Sequence, residues 1–127
     1  MAVLQGYGGK LMVGTAQVAE IGEWSLDIGA GTEDTSAFGD AWKKFTPTQG
    51  EWSGSASGRF DPADTNGQIA LQNAVLNRAS VSLRFYVDAT HYYSGTAYVT
   101  RCSPAANVGG VVEIAFEFQG TGPLTYT

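Results

Sequence analysis

Cysteine, histidine and charge are all scarce in this chain of 127 residues. Cys102 is the only cysteine, so neither an intrachain disulfide nor a cysteine-built zinc cluster can form. The one histidine, His91, has no other His or Cys nearby in sequence and makes a poor metal site. Charged residues are 15% of the chain, against about a quarter in an ordinary globular protein, so much of the surface has to be neutral. The net charge of −5 argues against holding nucleic acid, because that grip comes from Lys and Arg neutralising phosphates. No apolar run approaches bilayer length. Residues 1–9 lack the basic and apolar regions of a secretory signal, so folding in the cytoplasm with no membrane partner is the expectation.

What is abundant is glycine, 17 residues, together with Ser and Thr. That composition suits strands that meet at close range and many tight turns. The length suits one domain, residues 1–127, with a single core. Period-two alternation then recurs along the chain. Over residues 18–28, Val18, Trp24, Leu26 and Ile28 oppose Glu23, Ser25 and Asp27. Over 51–60, Trp52, Gly54, Ala56, Gly58 and Phe60 oppose Glu51, Ser53, Ser55, Ser57 and Arg59. Val81, Leu83, Phe85 and Val87 form a third apolar row, and Val112, Ile114, Phe116 and Phe118 a fourth. Residues 92–102 are rich in Tyr, Thr and Val, and residues 10–15 give a shorter strand. At least six strands result, a mainly β fold.

Two segments break the alternation. In Thr65-Asn66-Gly67-Gln68 a Thr precedes a Gln by three residues, the capping-box spacing, and Leu71, Ala74, Val75 and Arg78 follow at helical intervals. The pattern predicts one helix over about 65–79 lying across the sheet, with Asp61 before Pro62 as an alternative start. Residues 29–50 read as a long loop, and loops of that size in compact domains are usually functional or disordered. Phe38, Trp42 and Phe45 stand there beside Glu33, Asp34, Asp40, Lys43 and Lys44, a mixture that suits a docking surface. The competing reading folds Phe38 and Trp42 back onto their own domain, and composition leaves the two even.

Catalytic constellations are thin. A Cys102–His91 nucleophile pair lacks any sign of an oxyanion hole. Glu113 and Glu117 share a strand face as acid–base pairs do, but they equally decorate a solvated face. Gly6-Tyr7-Gly8-Gly9 and Gly120-Thr121-Gly122 lack the Lys and helix of a phosphate-cradling loop. No cofactor or metal is implied, and no enzyme.

The order of several phrases carries a resemblance. They are Gly22-Glu23-Trp24-Ser25-Leu26-Asp27, then Thr32-Glu33-Asp34-Thr35-Ser36-Ala37-Phe38-Gly39-Asp40-Ala41-Trp42, then Trp52-Ser53-Gly54-Ser55 and Asp61-Pro62-Ala63-Asp64. Tyr93-Ser94-Gly95-Thr96-Ala97-Tyr98-Val99-Thr100 and Phe116-Glu117-Phe118-Gln119-Gly120-Thr121-Gly122 complete the series. Over about residues 18–124 the chain resembles the tail tube proteins of long-tailed phages, which are related to the tubes of contractile tails and type VI secretion.

The resemblance implies a β-sandwich or barrel flanked by one helix. It implies hexameric rings whose inward strands join in one lumen sheet, stacked into a virion tail tube that conducts DNA without binding it specifically. The long loop favours the sheathless tail type and is expected to be mobile in the free subunit. Implied partners are further copies of the chain and other tail proteins: tape measure, tail tip and terminator. Glu33, Asp34, Phe38, Asp40, Trp42, Lys43 and Lys44 become candidates for contact between subunits or rings. Glu113 and Glu117 become candidate lumen-facing acids. The alternative from another class is a small ligand- or carbohydrate-binding β-sandwich using exposed Trp and Tyr in a groove.

Overall fold

Seven strands and one helix make up the computed structural model, which describes residues 9–127. Gly6, Tyr7 and Gly8 of the first glycine phrase lie outside the described residues. In chain order the elements are β1 (Lys10–Val13), β2 (Ala16–Gln17), β3 (Ile21–Asp34), β4 (Phe45–Arg59), α1 (Gln68–Asn77), β5 (Ser80–Tyr86), β6 (Tyr92–Ala105) and β7 (Glu113–Tyr126). All seven strands join one sheet in the order β2-β1-β5-β6-β7-β4-β3, with antiparallel neighbours throughout.

Register converts the alternation into two faces, because cross-strand partners point the same way. Trp24, Ala56 and Phe116 fall in one row, and Leu26, Gly54, Phe118 and Val99 in the next. On the apolar face Trp52, Ala56, Leu83, Phe85, Ala97, Val99, Ile114, Phe116 and Phe118 are buried. The sheet curls over this face. Phe85 of β5 and Trp24 of β3 are separated by three strands in the sheet order, yet their ring centroids are 5.4 Å apart. Phe85 also meets Trp52 at 6.3 Å and Phe118 at 5.9 Å, both edge to face. Each such aromatic pair adds about 0.5–1.5 kcal/mol to the burial of its rings. One ring therefore ties the two halves of the curled sheet together.

The glycines explain how Trp52 enters that core. A Cβ at Gly95 would stand 2.7 Å from Trp52 Cζ2, and one at Gly120 would overlap the indole outright. Two adjacent strands leave out a side chain at the place where the ring lies. Gln119 then donates from Nε2 to the Trp52 carbonyl at 3.2 Å. The Gln119-Gly120 phrase is thus a seat for Trp52.

The helix is shorter than the 65–79 expected, and the capping box does not form. Gly67 is the N-cap without a side-chain bond, and Asp64 Oδ2 accepts from Gln68 N at 3.0 Å and from Ala19 N at 2.8 Å. Gln68 has a different task. It is fully buried, its Nε2 donating to the carbonyls of Ala19 (2.7 Å) and Arg59 (2.8 Å) and its Oε1 accepting from Asp61 N at 2.8 Å. A side chain that satisfies three backbone groups in the core has no reach left for Thr65. Leu71 and Ala74 face the core as expected, and Arg78 ends the helix in the left-handed conformation with φ 56°. Val18 is buried but precedes β3, Val87 and Val112 lie beyond their strands, and β2 was too short for its alternation to register.

Gln68→Ala should lower the unfolding free energy by roughly 2–4 kcal/mol in urea titration, because it strands buried backbone groups. Gln17→Ala, at an exposed position, should stay within about 0.5 kcal/mol of the native chain.

Candidate assembly surfaces

Residues 29–50, expected as a long loop, are mostly β-hairpin. β3 and β4 pair from Ile21↔Gly58 out to Asp34↔Phe45, with a bulge between Ala30 and Thr32. The loop-like signals Gly29, Gly31, Gly50 and Pro47 misled because this arm is ladder on one side only. β7 pairs β4 no further than Ser53, so Pro47 lies where β4 is an edge and a missing N–H costs little. Beyond Trp52 the hairpin leaves the sheet as a projecting arm, exposed throughout.

Its tip, residues 35–44, is closed by its own polar groups. Thr35 N donates to Lys44 O at 2.9 Å and Lys44 N to Ser36 Oγ at 2.8 Å. Ala37 N donates to Asp40 Oδ2 at 2.8 Å, and Asp40 pairs with Lys44 Nζ at 3.4 Å. Asp34 Oδ1 accepts from Ser36 N at 2.9 Å, and the Ser36 hydroxyl, followed by that amide, holds the Asp34 carboxyl below its usual range. Asp34 thereby favours the folded tip above its unperturbed pKa of 3.8, and loses that effect as pH falls through the lower folded value. None of these contacts uses the aromatics. Phe38 and Trp42 are 110% and 86% exposed, and Phe45 and Ile28 are more than half exposed. The reading that folds Phe38 and Trp42 back onto their own domain does not hold. Glu33 and Asp34 end β3, Lys43 and Lys44 lead into β4, and the whole candidate set gathers at one projecting end.

A second surface covers the opposite face of β3, β4, β7 and β6. Register places Glu23, Ser25 and Asp27 beside Ser57, Ser55 and Ser53, and these beside Ala115, Glu117 and Gln119. Glu113 and Glu117 both stand on this face, Glu113 opposite Arg59 in register and Glu117 bonded to Arg101 Nε at 3.1 Å. Ser25 and Ser55 share a hydroxyl bond of 2.9 Å, and Ser57 Oγ donates to Glu23 Oε1 at 3.0 Å. Five carboxylates (Glu23, Asp27, Glu51, Glu113, Glu117) share the face with two guanidinium groups (Arg59, Arg101). The surface is a shallow trough of about 420 Å³ across all four strands.

Among the described residues both edges of this four-strand unit lack a strand partner. β3 has none on its outer side, and β6 beyond Tyr98 has β7 as its one strand neighbour, because its pairing with β5 stops at Ser80↔Tyr98 and it is helix α1 that packs against β6.

The residues weighed for catalysis do not converge. His91 sits in an exposed turn bonded to Asp88, whose carboxyl is lowered to about 2 chiefly by the backbone N–H of Thr90 and then that of His91. Cys102 lies on the apolar side opposite Phe116, where burial raises its thiol pKa. Eleven positions along β6 separate the two, roughly 35 Å. Among the described residues no group of three or more His, Cys, Asp or Glu is placed to hold a metal ion.

Comparison with known proteins decides the class. Residues 13–126 match the family described as phage tail tube protein. The chain belongs to that family. The fold is shared with a gene transfer agent virion component at 15% identity and TM-score 0.85, covering 98% of this chain and 99% of that one. A chain from the tail of an empty gene transfer agent particle, solved with C6 symmetry, gives TM-score 0.83 at 15% identity and the same coverages, 98% and 99%. The SPP1 tail tube follows at TM-score 0.79 and 16% identity, covering 98% of this chain and 79% of that one. A search of curated proteins found no match. Membership makes this a structural protein of the virion tail, as the resemblance implied. Nothing supports a carbohydrate-binding module: the most exposed tryptophan, Trp42, stands on a projecting tip at 86% exposure.

Because Phe38 and Trp42 stand exposed on the tip, the double change to Ala should leave the circular dichroism of the dispersed subunit unchanged. Its urea midpoint should move by the equivalent of less than about 0.5 kcal/mol.

Proposed function

We propose that six copies close into a ring through the open edges of β3 and β6, and that rings stack into a hollow tube through which DNA passes without being held. The observation that carries this reading is the four-strand polar face bounded by two unpaired edges. Pairing β3 of one copy with the free half of β6 on the next would continue the sheet, and ring closure removes the edges that invite aggregation. Six such units supply twenty-four strands. At about 4.8 Å per strand and about 40° tilt they enclose a barrel roughly 48 Å across, wide enough for a duplex of about 20 Å. The six-fold symmetry of the tail to which this fold is similar supports that count.

Turned inward, the serine and carboxylate face makes a suitable wall. Carboxylates outnumber guanidinium groups there, Arg101 is bonded to Glu117 and Arg59 stands opposite Glu113 in register, so the face offers phosphates no row of cations to which they could adhere. The exposed aromatics of the hairpin tip then contact another subunit, where Phe38 and Trp42 form an interface core and Glu33, Asp34, Asp40, Lys43 and Lys44 its polar rim. Assembly in the host cytoplasm, and capping by terminator, tape-measure and tip proteins, complete the tail in this account.

Negative-stain microscopy of the purified protein tests the reading: hollow tubes or rings are expected, and a monomer at every concentration contradicts it. Assembly binds only the folded state, so the thermal midpoint should rise with protein concentration. The assembled tubes should show no salt-sensitive DNA binding. Tight binding that weakens with salt would mean a basic lumen.

A further inference from the structure

The geometry points to a receiving surface for the hairpin tip: the β6–β7 turn of the next copy, with Val108 and Val111 as its apolar contacts. This assignment rests on the tube reading and names the other half of the stacking contact.

The turn is odd as it stands. Asn107 O accepts from Gly110 N at 3.2 Å and Asn107 Oδ1 from Gly109 N at 3.3 Å, a tight turn closed by asparagine and glycine. Within it stands Val108, a β-branched apolar residue of a type that turns ordinarily exclude, 108% exposed. Val111 and Val112 follow at 57% and 41% exposure. Three valines thus cluster on a short connection and pack on little of their own subunit. The loop is nevertheless held in place, because the Val112 carbonyl accepts from Phe60 N at 2.8 Å.

Position is the second observation. The turn joins Ala105 to Glu113, which pair with each other and, through Arg59, mark the base of the hairpin. The tip lies at the other end of β3 and β4, fourteen strand residues away, roughly 45 Å. Two exposed apolar clusters therefore occupy opposite ends of one rigid unit. Among the described residues the remaining exposed large hydrophobics, Ile28, Leu76, Tyr98 and Tyr126, lie apart from either cluster on β3, α1, β6 and β7.

Unlimited end-to-end growth requires a heterologous contact between two different patches, because a patch that matches itself closes after two copies. Tip against turn meets that requirement; tip against tip does not. Phe38 and Trp42 are large and planar, and the valines offer a low apolar surface edged by Gly109 and Gly110, over which a ring can lie flat.

The experiment compares native protein, V108D/V111D and F38A/W42A by circular dichroism, size-exclusion chromatography and electron microscopy. Both variants should keep the native circular dichroism and form rings that do not stack. A V108D/V111D protein that makes tubes of native length while F38A/W42A does not would overturn the turn as receiver and leave the tube reading intact. Native protein that forms no tubes would overturn both. As a second measurement, A41C/G109C in a C102S background, which keeps Phe38, Trp42, Val108 and Val111, should give a ladder of covalent multimers when tubes are treated with a short bis-maleimide. Tubes of normal appearance that yield monomer alone would overturn the contact.

Discussion

An unpaired strand edge is the constraint on which the rest of this structure depends. Along its fourteen residues β3 turns every second pair of N–H and C=O groups outward to no strand among the described residues, and β6 does the same over its second half. Left bare, such edges bind whatever strand arrives, and natural monomers shorten, charge or cover them. Here the strands with unpaired edges, β3 and β6, are fourteen residues long each. The subunit is therefore built to be completed by another copy of itself, and the other features of the fold hold those edges in the right relation.

The apolar side supplies the rigidity. Phe85, reached by Trp24 from across the curled sheet and by Trp52 and Phe118 within it, sets the curvature. Trp52 can lie flat only because Gly95 and Gly120 vacate its place, and Gln68 ties α1 to the segments before β3 and after β4. Close-packed interiors resist deformation, so a curvature fixed in this way is the same in every copy of the subunit. The polar side is left free to be serine-rich and weakly acidic, and in the proposed tube it would suit a wall that does not retain what passes.

Much of this was legible in residue order. Alternation identified the inward rows of β4, β5 and β7, and Glu113 and Glu117 were correctly placed together on a polar face. The arm was missed for a physical reason: a hairpin exposed on both faces has no apolar side, so Gly29, Gly31 and Pro47 read as loop punctuation. The cap at α1 was misread because Gln68 is spent on the core, a role that depends on Ala19 and Arg59 arriving from distant parts of the chain. The receiving turn went unremarked because isolated valines beside Asn and Gly carry no periodic signal. Its oddity appears only once exposure is known.

Amide hydrogen exchange, resolved by residue, tests the central claim most directly. In dispersed subunits the outward amides of β3 and those of β6 beyond Tyr98 should exchange rapidly, while the paired amides of β4 and β7 remain protected. In assembled tubes the β3 and β6 edge amides should become protected together. Edges that exchange at the same rate in both states would contradict an assembly built on strand pairing between subunits.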